Sequence, residues 1–199
     1  MESYSQLLLS TPKADGVILE LQEKGRLLAS KLGAPHKREE AWKYANLSVL
    51  KSISKRVLSG ANQKVCTGEE ILIRDGVVTQ LCASVPHIEV SLLSDLIAKD
   101  AGDNAINLLR HSHENVGSFE AMALAGFSDA LVISVKCDAE IESPIVIKHE
   151  TSQSGVASSP WVILLVEDGA ELSLIEEFSG VGCEYLVSPS IYMSVGKNA

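Results

Sequence analysis

Leu131-Val132-Ile133-Ser134-Val135-Lys136-Cys137 opens the part of the chain whose reading decides the fold. Four more short runs rich in Val, Ile and Leu follow, at 145–149, 161–167, 172–178 and 191–195. In the first run Leu131, Ile133 and Val135 alternate with Ser134, Lys136 and Asp138, the period of two that marks a half-buried strand. Acidic or Gly/Pro/Ser punctuation separates the runs: Glu140-Ile141-Glu142-Ser143-Pro144, Asp168-Gly169-Ala170 and Ser179-Gly180-Val181-Gly182. No helical pattern comes between them, which excludes alternating strand–helix–strand units and leaves a sandwich, a barrel or a β-solenoid. Periodicity does not choose among the three; the loose spacing tilts the reading toward stacked coils.

Upstream the texture is different. Residues 14–32 read as an amphipathic helix with Val17, Leu21, Leu28 and Leu32 near one face, stopped by Gly33-Ala34-Pro35. A second helix is expected over 38–53, carrying Trp42, Leu47 and Leu50. Residues 71–78 read as a hairpin about Asp75-Gly76, because Asp-Gly supplies the left-handed dihedrals that match strand twist. A short strand is expected at 88–90, and helices at 92–101, 104–110 and 119–125. The resulting class is α+β, with a mainly helical part over 1–128 and a β part over 129–199.

Composition narrows the function. The 199 residues are 46% apolar and 22% charged, enough to bury a core and too apolar for a disordered chain. No run reaches the roughly 18 apolar residues of a membrane span, and the N-terminus has no secretory pattern, so a cytoplasmic protein is expected. The net charge of −9 is uneven: residues 1–60 hold ten Lys/Arg against six Asp/Glu, and the remainder seven against twenty. The basic stretch with Lys37, Arg38, Lys43, Lys51, Lys55 and Arg56 has no stacking aromatics, Cys/His finger or phosphate loop beside it, and the acidic remainder would repel a phosphate backbone. Nucleic-acid binding is not expected.

Candidate chemistry is sparse. His111 and His113 are the one close histidine pair, and His149 could join them at a metal; on a helix or its end the first two would diverge. Cys66, Cys82, Cys137 and Cys183 form no C-x-x-C and no zinc spacing. Cys137 falls on the apolar phase of its strand and reads as a small core residue, whereas Cys183 sits in a glycine-rich turn and is the better thiol for sulfur or metal chemistry. Glu176 and Glu177 lie on opposite faces of a strand and cannot work as an acid/base pair. No catalytic, cofactor-binding or metal-binding residue is assigned, and a scaffold or interaction protein is the natural reading. A free-standing β-rich binding module is the alternative.

One string adds to this reading. Lys37-Arg38-Glu39-Glu40-Ala41-Trp42-Lys43-Tyr44-Ala45-Asn46-Leu47 resembles the "R-x-E-x-W-K-Y" signature of the SufB/SufD family, on its SufD side, from the SUF iron–sulfur cluster assembly machinery. In the β part, Ser143-Pro144-Ile145, Ser159-Pro160-Trp161 and Gly169-Ala170-Glu171 through Glu177-Phe178 are similar, in the same order, to the start of that family's core. Gly196-Lys197-Asn198-Ala199 resembles its next turn. Trp161 stands where the family usually has Arg, and 119–125 lacks a usual Asn. The resemblance implies a helical N-terminal domain followed by the first coils of a right-handed parallel β-helix. It also implies a non-catalytic scaffold that pairs with a SufB-like paralogue and a SufC-like ABC ATPase. The fragment itself would bind no cofactor, an iron–sulfur cluster being carried transiently by the full complex. The family's cluster-related Cys and His positions are expected beyond Ala199, which makes the end at Ala199 look like an interior turn. A ladder cut there is expected to self-associate through 191–195.

Overall fold

The computed structural model describes residues 16–51, 53, 55–56, 66–68, 70–82, 85–111, 116–182 and 184–199. Among the described residues four helices and twelve strands are formed, the helices being α1 (Gly16–Leu32), α2 (Leu93–Ala98), α3 (Asp103–His111) and α4 (Ser118–Ala125). Twelve strands follow the order β1 (Lys55–Arg56), β2 (Cys66–Gly68), β3 (Ile71–Arg74), β4 (Val77–Cys82), β5 (Ile88–Leu92), β6 (Leu131–Val135), β7 (Ile145–Thr151), β8 (Val156–Ser158), β9 (Trp161–Val166), β10 (Leu174–Gly180), β11 (Tyr185–Val187) and β12 (Ser190–Val195). They make three sheets, ordered β1-β8-β11, β10-β7-β3-β4-β2 and β12-β9-β6-β5. The architecture is α+β with mixed sheets and no closed barrel.

From Leu131 onward the chain visits the three sheets in the same order and then repeats. Strands β6, β7 and β8 pair in parallel with β9, β10 and β11, and β12 pairs in parallel with β9. The registers Leu131↔Val162, Ile145↔Leu174, Val156↔Tyr185 and Trp161↔Ser190 put neighbours about 30 residues apart along the chain. The turns repeat too: Asp138, Gly169 and Asn198 all have left-handed φ, at 56°, 69° and 58°. Backbone N–H groups of Asp138 and Gly169 donate to the carbonyls of Asp168 and Lys197 in the turn below, at 3.0 and 2.9 Å. Glycine at 169 adopts the left-handed φ without strain, whereas Asp138 and Asn198 hold it in the neighbouring turns with short polar side chains.

Two cores flank the sheet β12-β9-β6-β5. Leu131, Ile133, Val135, Val162 and Leu164 face Ile71, Ile73, Ile145 and Ile147 across the interior. On the other side Val132, Trp161 and Ile163 meet the helices through Ile18, Leu21, Leu93, Leu109 and Leu124. Strands β6 and β9 are thus buried on both faces, which explains why 161–166 reads as a continuous apolar run and not as an alternation. The hairpin β3–β4, inside its five-stranded sheet, turns through Asp75 and Gly76 at φ 52° and 83°, as the Asp-Gly pair requires.

Some expectations are corrected. The helix expected over 38–53 is replaced by two 3-10 turns, Glu40–Trp42 and Leu47–Lys51. Between them Asn46 Oδ1 accepts from Ser48 N–H at 3.1 Å and from Ser48 Oγ–H at 2.7 Å, a local bond that competes with helix continuation. On α1, Leu21 is buried and Val17 and Leu28 pack against the core as expected, whereas Leu32 is 44% exposed and Ile18, Gln22, Gly25 and Ala29 complete the inner face. Cys137 is exposed, because β6 ends at Val135 and the chain is already turning. The short strands β8 and β11, three residues each, fall below the length at which alternation can be read.

Candidate functional site

Strand β7 buries every second residue: Ile145, Ile147, His149 and Thr151 point into the interior, while Val146, Lys148 and Glu150 are half-exposed. His149 therefore sits between Ile147 and Thr151 on the same face, with Ile73 of β3 directly beside it. Parallel pairing places Phe178 of β10 directly beside it and Glu176 beside Ile147. The result is a polar pair in an apolar column. His149 Nε2 lies 2.8 Å from Glu176 Oε1, with side chains only 5% and 16% exposed. The Phe178 ring stacks on the imidazole, centroids 4.3 Å apart and planes 7° from parallel.

In a neutral ring, a carboxylate at that distance pairs with Nε2–H. Nδ1 is then left with a lone pair. It is equally buried and has no hydrogen-bond partner among the described residues. An unpartnered polar atom in an apolar interior costs roughly 1–3 kcal/mol, so the position is not explained by packing alone. Chemically the pair is a carboxylate-oriented imidazole that can accept a hydrogen bond. Spacing did not reveal it, because the two residues are 27 apart and become neighbours only through the coil repeat.

The residues singled out by sequence do not converge. His111 ends α3 and is exposed, its Nδ1 2.7 Å from the Asn107 carbonyl of its own helix. It borders a cleft of about 660 Å³ with Lys136 and Glu167, on the helix side of the sheet, whereas His149 lies in the interior. His113 and Cys183 lie outside the described residues. Among the described residues no group of three His, Cys, Asp or Glu side chains could hold a metal. Cys137 Sγ donates to Asp138 Oδ2 at 3.3 Å. That bond, then desolvation and the acids Asp138, Asp168 and Glu167, pushes the thiol pKa up, which keeps it a weak nucleophile. Glu176 and Glu177 do face opposite ways, the first half-buried and the second exposed.

Trp42 anchors the Lys37–Leu47 string. Trp42 packs edge-on against Phe119 of α4, centroids 4.9 Å apart, while Tyr44 is 90% exposed with Lys43 Nζ 5.4 Å from its ring.

With the fold and this pair in view, comparison with known proteins is informative. No protein-family model matches the chain. Over 196 residues, covering 91% of this chain and 43% of the relative, it is 22% identical to the iron–sulfur cluster assembly SufBD family protein slr0076 of Synechocystis sp.. The chain is similar along most of its length to a SufBD family protein. A second relative, the protein ABCI7, chloroplastic, of Arabidopsis thaliana, is 32% identical over 101 residues, 43% of this chain and 21% of that protein. The chain thus spans less than half the length of either curated relative. The SufBD likeness covers both the helical part and the coil repeat. Among the described residues no helix is long and apolar enough to cross a membrane.

Proposed function

We propose that the chain is the SufD-like portion of a non-catalytic scaffold subunit for iron–sulfur cluster assembly. In this reading residues 129–199 are the first coils of a right-handed parallel β-helix and residues 1–128 an N-terminal domain packed on them. The observation that carries the reading is the likeness to a SufBD protein along 91% of the chain. The parallel repeat of about 30 residues supports it, since a β-solenoid stacks its turns in that way. The Lys37–Leu47 string supports the SufD side of the family. The partners are a SufB-like paralogue and a SufC-like ABC ATPase, and the location is the cytoplasm. The cluster is cargo of the whole assembly, and this portion holds no cofactor of its own.

The test is co-purification of the full-length protein with SufB and SufC from cells expressing all three. Stable association with both is expected. A full-length protein that associates with neither would refute the reading. A free-standing β-rich binding module has less support, because every strand pair within 131–195 is parallel and none is a hairpin.

A further inference from the structure

At the corner where β7 begins, the chain leaves a pocket of about 450 Å³ that the scaffold reading does not use. Its size falls within the range of about 300–1,000 Å³ found for small-molecule sites. Val85, Ile141 and Ile145 give it apolar walls, and Glu70, Glu140 and Glu142 supply its carboxylates. No lysine or arginine lines it among the described residues. The walls are held by backbone bonds: Ile88 N–H donates to the Val85 carbonyl at 3.1 Å, and Ile141 and Ile145 N–H donate to the carbonyls of Glu171 and Ser173 at 3.1 and 2.9 Å.

The three acids are not equivalent. Glu70 is already neutralised, its Oε2 lying 2.7 Å from Lys148 Nζ. Glu140 and Glu142 are exposed and have no ion-pair partner among the described residues. Two carboxylates beside an apolar hollow, with no cation paired to them among the described residues, repel anions and favour a ligand with positive charge at one end and an apolar body at the other. We propose that this pocket binds a small organic cation, an ammonium or amidinium group on an apolar body, with Glu140 and Glu142 taking the charge and Val85, Ile141 and Ile145 the body. The site is independent of the iron–sulfur reading, since it rests only on these walls and charges.

Benzamidine is a suitable probe and benzoate its anionic counterpart of the same shape. The titration is run at pH 8. Backbone amide shifts are followed in the 199-residue chain. Benzamidine is expected to saturate shifts at 85–88 and 140–146 with a Kd of about 1 mM, which corresponds to about −4 kcal/mol. Benzoate should leave those amides unmoved. The exposed double variant Glu140→Gln/Glu142→Gln, with unchanged circular dichroism, should bind benzamidine at least about fivefold more weakly. Equal binding of benzoate, shifts that map elsewhere, unchanged affinity in the double variant, or no saturation by about 20 mM would each overturn the proposal.

Discussion

His149 and Glu176 illustrate how one register fixes a residue's environment. Their contact crosses two turns, so removing either partner strands the other in an apolar column. His149→Ala and Glu176→Ala are each expected to cost about 2–3 kcal/mol in urea unfolding. The double replacement His149→Leu/Glu176→Leu should lie closer to the parent than either single variant, because it leaves no buried polar atom behind. A double variant as unstable as the sum of the singles would show that the pair contributes net stability. Asp129 gives a pH-dependent case. Its carboxylate accepts from Ser94 N–H at 3.1 Å, Ser94 Oγ–H at 2.6 Å and Ala130 N–H at 2.8 Å, tying the start of α2 to β6. Burial outweighs those bonds and raises its pKa above 3.8. The folded state therefore holds this proton more tightly than the unfolded state does. Its contribution to stability falls as pH rises from the unfolded carboxylate range through the higher folded value. Asp129→Asn should remove that component, so the variant's stability relative to the parent increases with pH between about 3 and 7. A pH-independent difference in unfolding midpoints would contradict this.

At the scale of elements, α1 against α4 shows where local propensity and packing disagree. Gly25 lies mid-helix, and replacing a mid-helix glycine by alanine is ordinarily worth about 0.5–1 kcal/mol in favour of the helix. Here an added Cβ would stand 2.3 Å from the Ala125 backbone nitrogen, so the two helices would have to separate. Gly25→Ala is expected to destabilise by about 3 kcal/mol, whereas Leu27→Ala, at a position 57% exposed, should change stability by less than about 0.5 kcal/mol beyond its helix propensity. Thermal unfolding of the two variants decides it, and a stabilised Gly25→Ala would overturn the packing account. The buried Gln22 belongs to the same contact: its Nε2–H donates to the Phe127 carbonyl at 2.5 Å, locking α1 to the chain as it leaves α4. None of this was visible in the spacing of Val17, Leu21, Leu28 and Leu32, which located a helix and three of its core-facing residues but not the polar and small side of the contact, Gln22, Gly25 and Ala29. The helices, the Asp75-Gly76 hairpin and all five long strands of 131–195 were legible, because each is long enough to show a period or carries a turn residue of defined φ. The 3-10 turns around Asn46 and the three-residue strands β8 and β11 were not, since local side-chain bonds and inter-coil pairing decide them.

Across the whole molecule, the outermost strands β10, β11 and β12 have no strand on their outer side among the described residues. Ile175, Phe178, Ile191, Met193 and Val195 are 44%, 51%, 38%, 59% and 57% exposed there. β12 carries no charge and no proline, the two features that usually blunt an edge. The 199-residue chain is expected to associate with increasing concentration in sedimentation velocity, and Met193→Lys should shift it toward monomer. A clean monomer at high concentration, or association unaffected by Met193→Lys, would contradict this. The same edge explains why Phe178 can stack on His149 and yet remain half in solvent.

Local chemistry alone determined that the chain is α+β, that the described residues of 131–195 hold no helix, and that Asp75-Gly76 turns. Each follows from periodicity or from a residue's allowed dihedrals, which depend on near neighbours. Motif order in the chain also pointed to the SufBD relatives. The sheet in which each run lies, the pairing of His149 with Glu176 across 27 residues, the exposure of Cys137 and the pocket at the β7 corner depend on register between coils. Register is set by how side chains pack in three dimensions, and a one-residue slip would exchange every buried side chain of β7 for an exposed one.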